Sequence, residues 1–159
     1  MRSLLFLLLC GALCLAASPA VLAQQWEAVT AMPTARAGAA IAVLDGKVYV
    51  MGGHTTAGTI LDTVERFDPV TEQWTTVEPL RDARTYAAAA AFGGGIVLMG
   101  GREDDGAATD DVEFYDPAED DWESFDSLEI EREGLGAAVL QGELYALGGA
   151  GETGGFLST

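Results

Sequence analysis

Residues 36–53 of this chain read RAGAAIAVLDGKVYVMGG, and the same pattern returns twice further along. Residues 84–101 read RTYAAAAAFGGGIVLMGG, and residues 132–149 read REGLGAAVLQGELYALGG. Each copy begins with an arginine, continues through small and apolar residues, and ends on a glycine pair. The copies stand 48 residues apart without a gap. A period of this length is typical of repeat proteins, in which each unit stacks on its neighbours to bury an apolar face.

Other residues recur at the same spacing and extend the repeated unit. An aromatic residue followed by Asp-Pro occurs twice, and a tryptophan occurs three times. The full recurring set is Arg36, Arg84, Arg132, Gly52, Gly53, Gly100, Gly101, Gly148, Gly149, Trp26, Trp74, Trp122, Asp68, Pro69, Asp116 and Pro117. The tryptophans divide the chain into repeats 26–73, 74–121 and 122–159, and the third of these carries no Asp-Pro turn.

The pattern within one repeat predicts four short strands. Small side chains after each arginine suit an innermost strand, where neighbouring units converge and space is limited. The alanine run 87–91 has helical propensity, but its equivalents are bounded by turn pairs such as Asp45-Gly46, which favour a β-hairpin. Asp-Pro ends the third strand, and the tryptophan lies on the fourth. The predicted ranges are 37–44, 85–92 and 133–140 for the first strand, 47–51, 96–99 and 143–147 for the second, and 63–67 and 111–115 for the third.

These motifs resemble the kelch repeat. In that family a glycine doublet follows an apolar strand, then come an aromatic-Asp-Pro turn and a tryptophan, and an arginine precedes the inner strand. The resemblance covers residues 26–159 and implies an all-β propeller of four-stranded blades that closes with about six or seven blades. We therefore expect residues 24–159 to form a partial kelch propeller, an incomplete ring of about two and three-quarter blades.

The N-terminal residues 1–23 have the pattern of a secretory signal peptide. Arg2 precedes an uncharged apolar stretch, and Val21-Leu22-Ala23 forms a small-residue cleavage site. We expect an exported, periplasmic or extracellular protein with no membrane span after cleavage; a retained anchor or a lipid on Cys10 or Cys14 is the alternative. Both cysteines lie within this segment, so the mature chain can form neither a disulfide nor a thiolate metal site.

The charge of the chain opposes one class of partner. The formal net charge is −17, with 25 acidic residues against 8 basic ones. Binding to nucleic acid or to an anionic membrane depends on clustered cations, which this sequence does not supply. We predict no nucleic-acid partner, and we leave open whether the ligand is a protein or a carbohydrate.

The three arginines Arg36, Arg84 and Arg132 are the candidate ligand-binding residues. Equivalent positions in successive blades would place three guanidinium groups on a common ring, and guanidinium forks suit carboxylates or phosphates. The resemblance also implies such a role, because some kelch propellers hold acidic peptide segments with arginines. The structural alternative is that each arginine binds its own blade, through backbone carbonyls or the carboxylates of Glu65 and Glu113.

No catalytic, cofactor or metal site is predicted from the residues. The acidic loop 102–111 offers oxygen ligands for calcium, but its spacing matches no calcium loop, and a solvated loop is favoured. Copper oxidases within the family require histidine ligands, and the chain has only His54. We predict an exported interaction module without catalytic activity. One alternative is an N-terminal fragment of a carbohydrate-active kelch propeller, similar to galactose oxidase or to a sialic-acid mutarotase, that lacks the catalytic blades. The other is self-association that completes a propeller.

Overall fold

The computed structural model describes residues 27–158, which form an all-β arrangement of three antiparallel sheets. The predicted signal peptide and Trp26 lie outside the described residues. The first sheet comprises β1 (Ala40–Leu44), β2 (Lys47–Met51), β3 (Val64–Asp68) and β4 (Gln73–Val77). The second comprises β5 (Ala88–Phe92), β6 (Gly95–Met99), β7 (Val112–Asp116) and β8 (Asp121–Ser124). The third comprises β9 (Gly136–Leu140) and β10 (Glu143–Leu147).

Each sheet is a meander in which strands that follow one another in sequence pair side by side. The first and second sheets have the four strands of a propeller blade, and the third has two. The ring is not closed within the described residues. This arrangement confirms the predicted all-β, partial propeller of stacked blades. The fourth strand of the first sheet, β4, runs from Gln73 to Val77. It therefore crosses the boundary between residues 73 and 74 at which the tryptophan spacing divides the first two repeats.

The inner strands begin three residues later than predicted. Residues at the predicted starts, Ala37, Thr85 and Glu133, form only isolated bridges to the loops that follow the glycine pairs. The residue after each bridge, at position 38, 86 or 134, has a positive φ, which turns the chain away from the extended conformation. Continuous pairing therefore starts only at Ala40, Ala88 and Gly136. The alanine run is a strand, as the repeat register predicted.

The apolar core lies between neighbouring sheets. The first sheet contributes Ala40, Ala42, Leu44, Tyr49 and Met51 to a cluster with Ile96, Leu98, Tyr115 and Trp122 of the second sheet. The other face of the second sheet packs on Ala137, Leu144 and Ala146 of the third and on Leu135, which precedes β9. Small alanine side chains on β5 allow both neighbouring inner strands to approach it. Burial between blades, and not within one sheet, therefore holds the sheets together.

The outer strands place their tryptophans differently. Trp122 is almost fully buried, and its indole Nε1 donates to the carbonyl of Glu78 at 3.0 Å, so it bridges the second blade to the first. Trp74 is half-buried, stacks on Phe67 with ring centroids 5.0 Å apart, and donates to the carbonyl of Thr30. The turns that precede these strands are closed by Asp68, whose Oδ1 accepts from the amide of Val70, and by Asp116, which accepts from Ala118.

Candidate functional site

Arg84 shows how the recurring arginines are held. Its side chain is buried, and NH2 forms an ion pair with Glu113 on the third strand of the same blade. Its other donors bind main-chain carbonyls, with Nε on Asp82 and NH1 on Asp111. Burial is the largest influence on the Glu113 carboxyl and raises its pKa, and the charge of Arg84 opposes this effect.

Arg36 and Arg132 occupy the equivalent positions in the first and third blades. The Arg36 side chain is 1% exposed, and its NH2 lies 3.0 Å from Glu65 Oε2. Its NH1 donates to the carbonyls of Gly52 and Thr63 at 2.8 and 2.7 Å. Arg132 is also buried, and it donates to the carbonyls of Ile130 and Gly148. These contacts agree with the structural alternative raised for the arginines. A role in binding acidic ligands stays a prediction.

The main chain of the same arginines links neighbouring blades. The carbonyl of Arg84 accepts from the amide of Gly53 at 2.8 Å, and the carbonyl of Arg132 accepts from Gly101 at the same distance. Gly52 and Gly100 let this contact form, because a Cβ at these positions would lie 2.3 Å from the Arg84 carbonyl oxygen and 2.4 Å from that of Arg132. The glycine pairs and the arginines thus act together as a repeated joint between blades.

An open groove lies where the loops of the second and third blades meet. It encloses about 450 Å³, within the range of ligand sites, and is lined by Tyr86, Arg102, Glu133, Gly134, Gly149, Ala150 and Phe156. The bridges Thr85–Arg102, Glu133–Ala150 and Ala150–Phe156 hold the loops that carry these residues. Phe156 is 94% exposed, although phenylalanine is normally buried. We refer to this feature as the loop groove.

Tyr86 is the most unusual residue of the loop groove. Its φ is +57°, a left-handed conformation that is rare for a bulky side chain. The backbone is fixed on both sides, because its amide donates to the carbonyl of Gly38 at 2.7 Å and its carbonyl accepts from Gly134 at 2.8 Å. The equivalent residues of the first and third blades are Gly38 and Gly134, which adopt a positive φ without strain. Tyr86 is the exception among the three. A large ring kept at a strained position suggests a functional use for the ring.

Tyr86 is surrounded by polar and charged partners. The His54 ring lies 5.5 Å from the Tyr86 ring, and His54 Nδ1 lies 2.9 Å from Thr85 Oγ1. The guanidinium carbon of Arg102 lies 6.0 Å from the Tyr86 ring centroid, and Arg102 NH2 is paired with Glu133. This hydrogen bond to Glu133 raises the pKa of Arg102. The repeated sequence motifs do not single out Tyr86, but its departure from the glycines at positions 38 and 134 is a usable signal.

The acidic loop 102–111 is closed by the Arg102–Ala108 bridge, and Asp105 accepts from the amide of Ala107. Among residues 27–158, no group of three or more histidine, cysteine or acidic side chains could hold a metal ion. Within the same residues, no helix has the length and hydropathy needed to cross a membrane.

The four-stranded meanders, inner-strand packing and glycine joints define a partial β-propeller. The Kelch motif model matches residues 35–81 and 83–128, and the chain belongs to the kelch-repeat family. A segment of 48 residues is 38% identical to Kelch-like protein 21 of Homo sapiens, and the same holds for its Bos taurus and Mus musculus counterparts. That segment is 30% of this chain and 8% of each relative, so the similarity spans a small part of their length. Kelch repeats indicate a protein-interaction propeller module.

Proposed function

We propose that this chain is an exported kelch-repeat module that binds a partner protein through the loop groove. The observation that carries the proposal is Tyr86, which is 43% exposed while its backbone is held in a strained conformation from both sides. Phe156 adds a second exposed ring to the same groove. Exposed aromatic side chains on a rigid scaffold are typical anchors of protein interfaces.

The loop groove is a better candidate contact surface than the three arginines. Arg84 and Arg132 are 1% and 5% exposed, and a ligand would have to displace blade contacts to reach them. The loop groove is open, and its side chains lie outside the glycine–arginine joints, although the Arg102–Glu133 ion pair does connect the second and third blades. Recognition of an acidic ligand by Arg36, Arg84 and Arg132 is kept as a prediction, as is the alternative of a carbohydrate-active propeller fragment.

Export is supported by the sequence of residues 1–23. Its charged start, apolar stretch and small-residue cleavage site together favour a signal peptide that is removed. The mass of the protein recovered from the medium or periplasm tests this proposal. A mature N-terminus at Gln24 supports export, and a cell-retained protein with an intact N-terminus contradicts it.

Replacing Tyr86 with glycine tests the loop groove directly. Glycine occupies the equivalent positions 38 and 134, where φ is also positive. Tyr86→Gly should therefore remove the ring and the backbone strain while the hydrogen bonds to the neighbouring blades stay in place. We expect affinity capture with wild-type protein to retain a partner that Tyr86→Gly and Phe156→Ser lose, with an affinity reduced about thirtyfold or more. Val70→Ser is the control, because Val70 is 91% exposed on a distant turn. The proposal would be contradicted if Tyr86→Gly captured the partner as well as wild type does. It would also be contradicted if Val70→Ser lost the partner to the same extent as Tyr86→Gly.

The exposed apolar side chains of the end blades favour self-association as an additional property. Ile41 and Val43 on β1 are each 60% exposed, and Leu140 and Leu147 on the third sheet are 62% and 52% exposed. Ile41 and Val43 are equivalent to Ala89 and Ala91, which pack against a preceding blade. The two open faces are therefore suited to meet head to tail, as neighbouring blades do within the chain.

Sedimentation velocity over a range of concentrations tests this association. We expect the wild-type protein to assemble as its concentration rises and Ile41→Lys to remain monomeric, because a buried cation on this face would be unpaired. Val70→Lys carries the same charge change on a turn and should assemble as wild type does. A wild-type protein that is monomeric at every concentration would exclude self-association.

A further inference from the structure

Arg102 occupies the loop groove in the way that a ligand would. Its guanidinium group lies against the Tyr86 ring, at 6.0 Å from the centroid, and pairs with Glu133 Oε1. An aromatic face beside a carboxylate is a favourable environment for a cation. The Arg102 side chain is 43% exposed and that of Glu133 is 17% exposed. The more exposed member of the pair is thus the cation, and the more enclosed member is the carboxylate.

This cation–carboxylate pair is not part of the repeated architecture. At the equivalent positions of the first and second blades, His54 faces Thr85, and a hydrogen bond of 2.9 Å between His54 Nδ1 and Thr85 Oγ1 replaces the ion pair. The backbone bridge is the same in both places, with Ala37 joined to His54 and Thr85 joined to Arg102. The fold therefore does not require a charged pair at this point.

Glu133 uses only part of its capacity to accept hydrogen bonds. Its Oε2 is buried and has no hydrogen-bond partner in the structure, whereas an ionised carboxylate offers about four acceptor sites. A buried acceptor without a partner is costly, and a donor that reached it would be stabilised. A guanidinium group from a ligand, with its planar fork of donors, could engage both oxygens, and Arg102 engages one.

The loops on either side of the groove carry negative charge. Glu103, Asp104 and Asp105 follow Arg102 directly, and Glu152 lies in the corresponding loop of the third blade. Arg102 is the one basic residue among those that line the groove. The whole chain has a net charge of −17, so the long-range field also attracts cationic partners.

We propose that the loop groove is a subsite for a basic side chain, arginine or lysine, of a partner protein, and that Arg102 fills it until the partner binds. The incoming cation takes the place of Arg102 against Tyr86 and on Glu133. The displaced guanidinium group moves into solvent beside the carboxylates of Glu103, Asp104 and Asp105. Glu133 has a cationic partner before and after the exchange, so no enclosed carboxylate is left unpaired. The inference rests on the proposed function, because it names the chemistry of the partner at that groove.

Removing Arg102 should strengthen the binding of a basic ligand. The probe is the blocked tripeptide acetyl-Gly-Arg-Gly-amide, and its binding is followed by NMR through the backbone amides of Gly134 and Gly149. We expect Arg102→Ala and Arg102→Gln to bind it about fivefold more tightly than wild type, because a competing ion pair and ring contact are gone. Adding Glu133→Gln to Arg102→Ala should abolish the gain.

Controls separate this exchange from a general charge effect. Lys47→Ala makes the same change in net charge at a pair with Asp68, and it should leave the affinity for the tripeptide unchanged. Unchanged or weaker binding by both Arg102 variants would overturn the proposal. So would preferential binding of acetyl-Gly-Glu-Gly-amide that is lost in Arg102→Ala, since this would make Arg102 an anion-binding residue. A partner that Tyr86→Gly loses but Arg102→Ala binds no better would overturn the exchange and leave the proposed function intact.

Discussion

Gly100→Ala is expected to destabilise the protein far more than Gly106→Ala does. A Cβ at Gly100 would lie 2.4 Å from the Arg132 carbonyl oxygen, which belongs to the backbone of the next blade and cannot move aside as a flexible side chain would. The same carbonyl accepts the hydrogen bond from Gly101, so a shift would also break the joint between the second and third blades. We expect a loss of about 4 kcal/mol or more in the free energy of unfolding.

Gly106 provides a matched control for the backbone conformation. Its φ is +86° against +58° at Gly100, so alanine is unfavourable at both positions. A Cβ at Gly106 would meet nothing within 4 Å. Gly106→Ala should therefore cost about 1–2 kcal/mol, which is the conformational term alone. Urea unfolding followed by tryptophan fluorescence measures both variants, and equal losses would show that the contact with Arg132 is unimportant.

Arg84→Met is expected to cost about 3–5 kcal/mol of stability, because it leaves a buried carboxylate without its cation. Glu113 is 3% exposed, and its remaining hydrogen bond is from the amide of Arg81. The double variant Arg84→Met with Glu113→Leu should recover much of the loss, since both charged partners are then absent. Arg81→Met is the control, because its exposed side chain can be changed while its amide stays in place.

The dependence on pH gives this second prediction an independent readout. Burial raises the pKa of Glu113, and Arg84 is the strongest opposing influence. In Arg84→Met the folded-state pKa should rise further above the unfolded value. Such a group favours the folded state below the unfolded pKa, and that contribution is lost as the pH rises through the folded pKa. The single variant should therefore regain stability relative to wild type on acidification, and the double variant should not. A single variant that matches wild type at neutral pH would contradict the role of the ion pair.

Much of the fold could be predicted because its causes recur in sequence. The glycine pair at 52–53 and the Asp68-Pro69 turn each set a local backbone geometry and return 48 residues later, and Gly93-Gly94 stands where the first repeat has the turn pair Asp45-Gly46. The exact start of the inner strands could not be predicted. It depends on the links from position 86 to positions 38 and 134, which form only when blades are adjacent.

The candidate site was harder to predict for a related reason. Arg84 and Glu113 are 29 residues apart, and the sequence could offer their pairing only as an alternative to ligand binding. The loop groove draws Tyr86 and Arg102 from one repeat and Glu133 and Phe156 from the next. None of the four has an identical counterpart at the repeat spacing, so a search for periodic residues passes over them.

The link between positions 38, 86 and 134 also determines how the molecule should come apart. Each blade is coupled only to its immediate neighbours, so melting resembles the fraying of a short linear polymer and not the collapse of a single body. The middle blade has a neighbour on both sides, and every residue of its strand β6 is buried. The third blade has one neighbour among the described residues, and its strand β9 is largely exposed. Amide protons should accordingly exchange first at the outer blades and last along β6, in a gradient set by position along the stack.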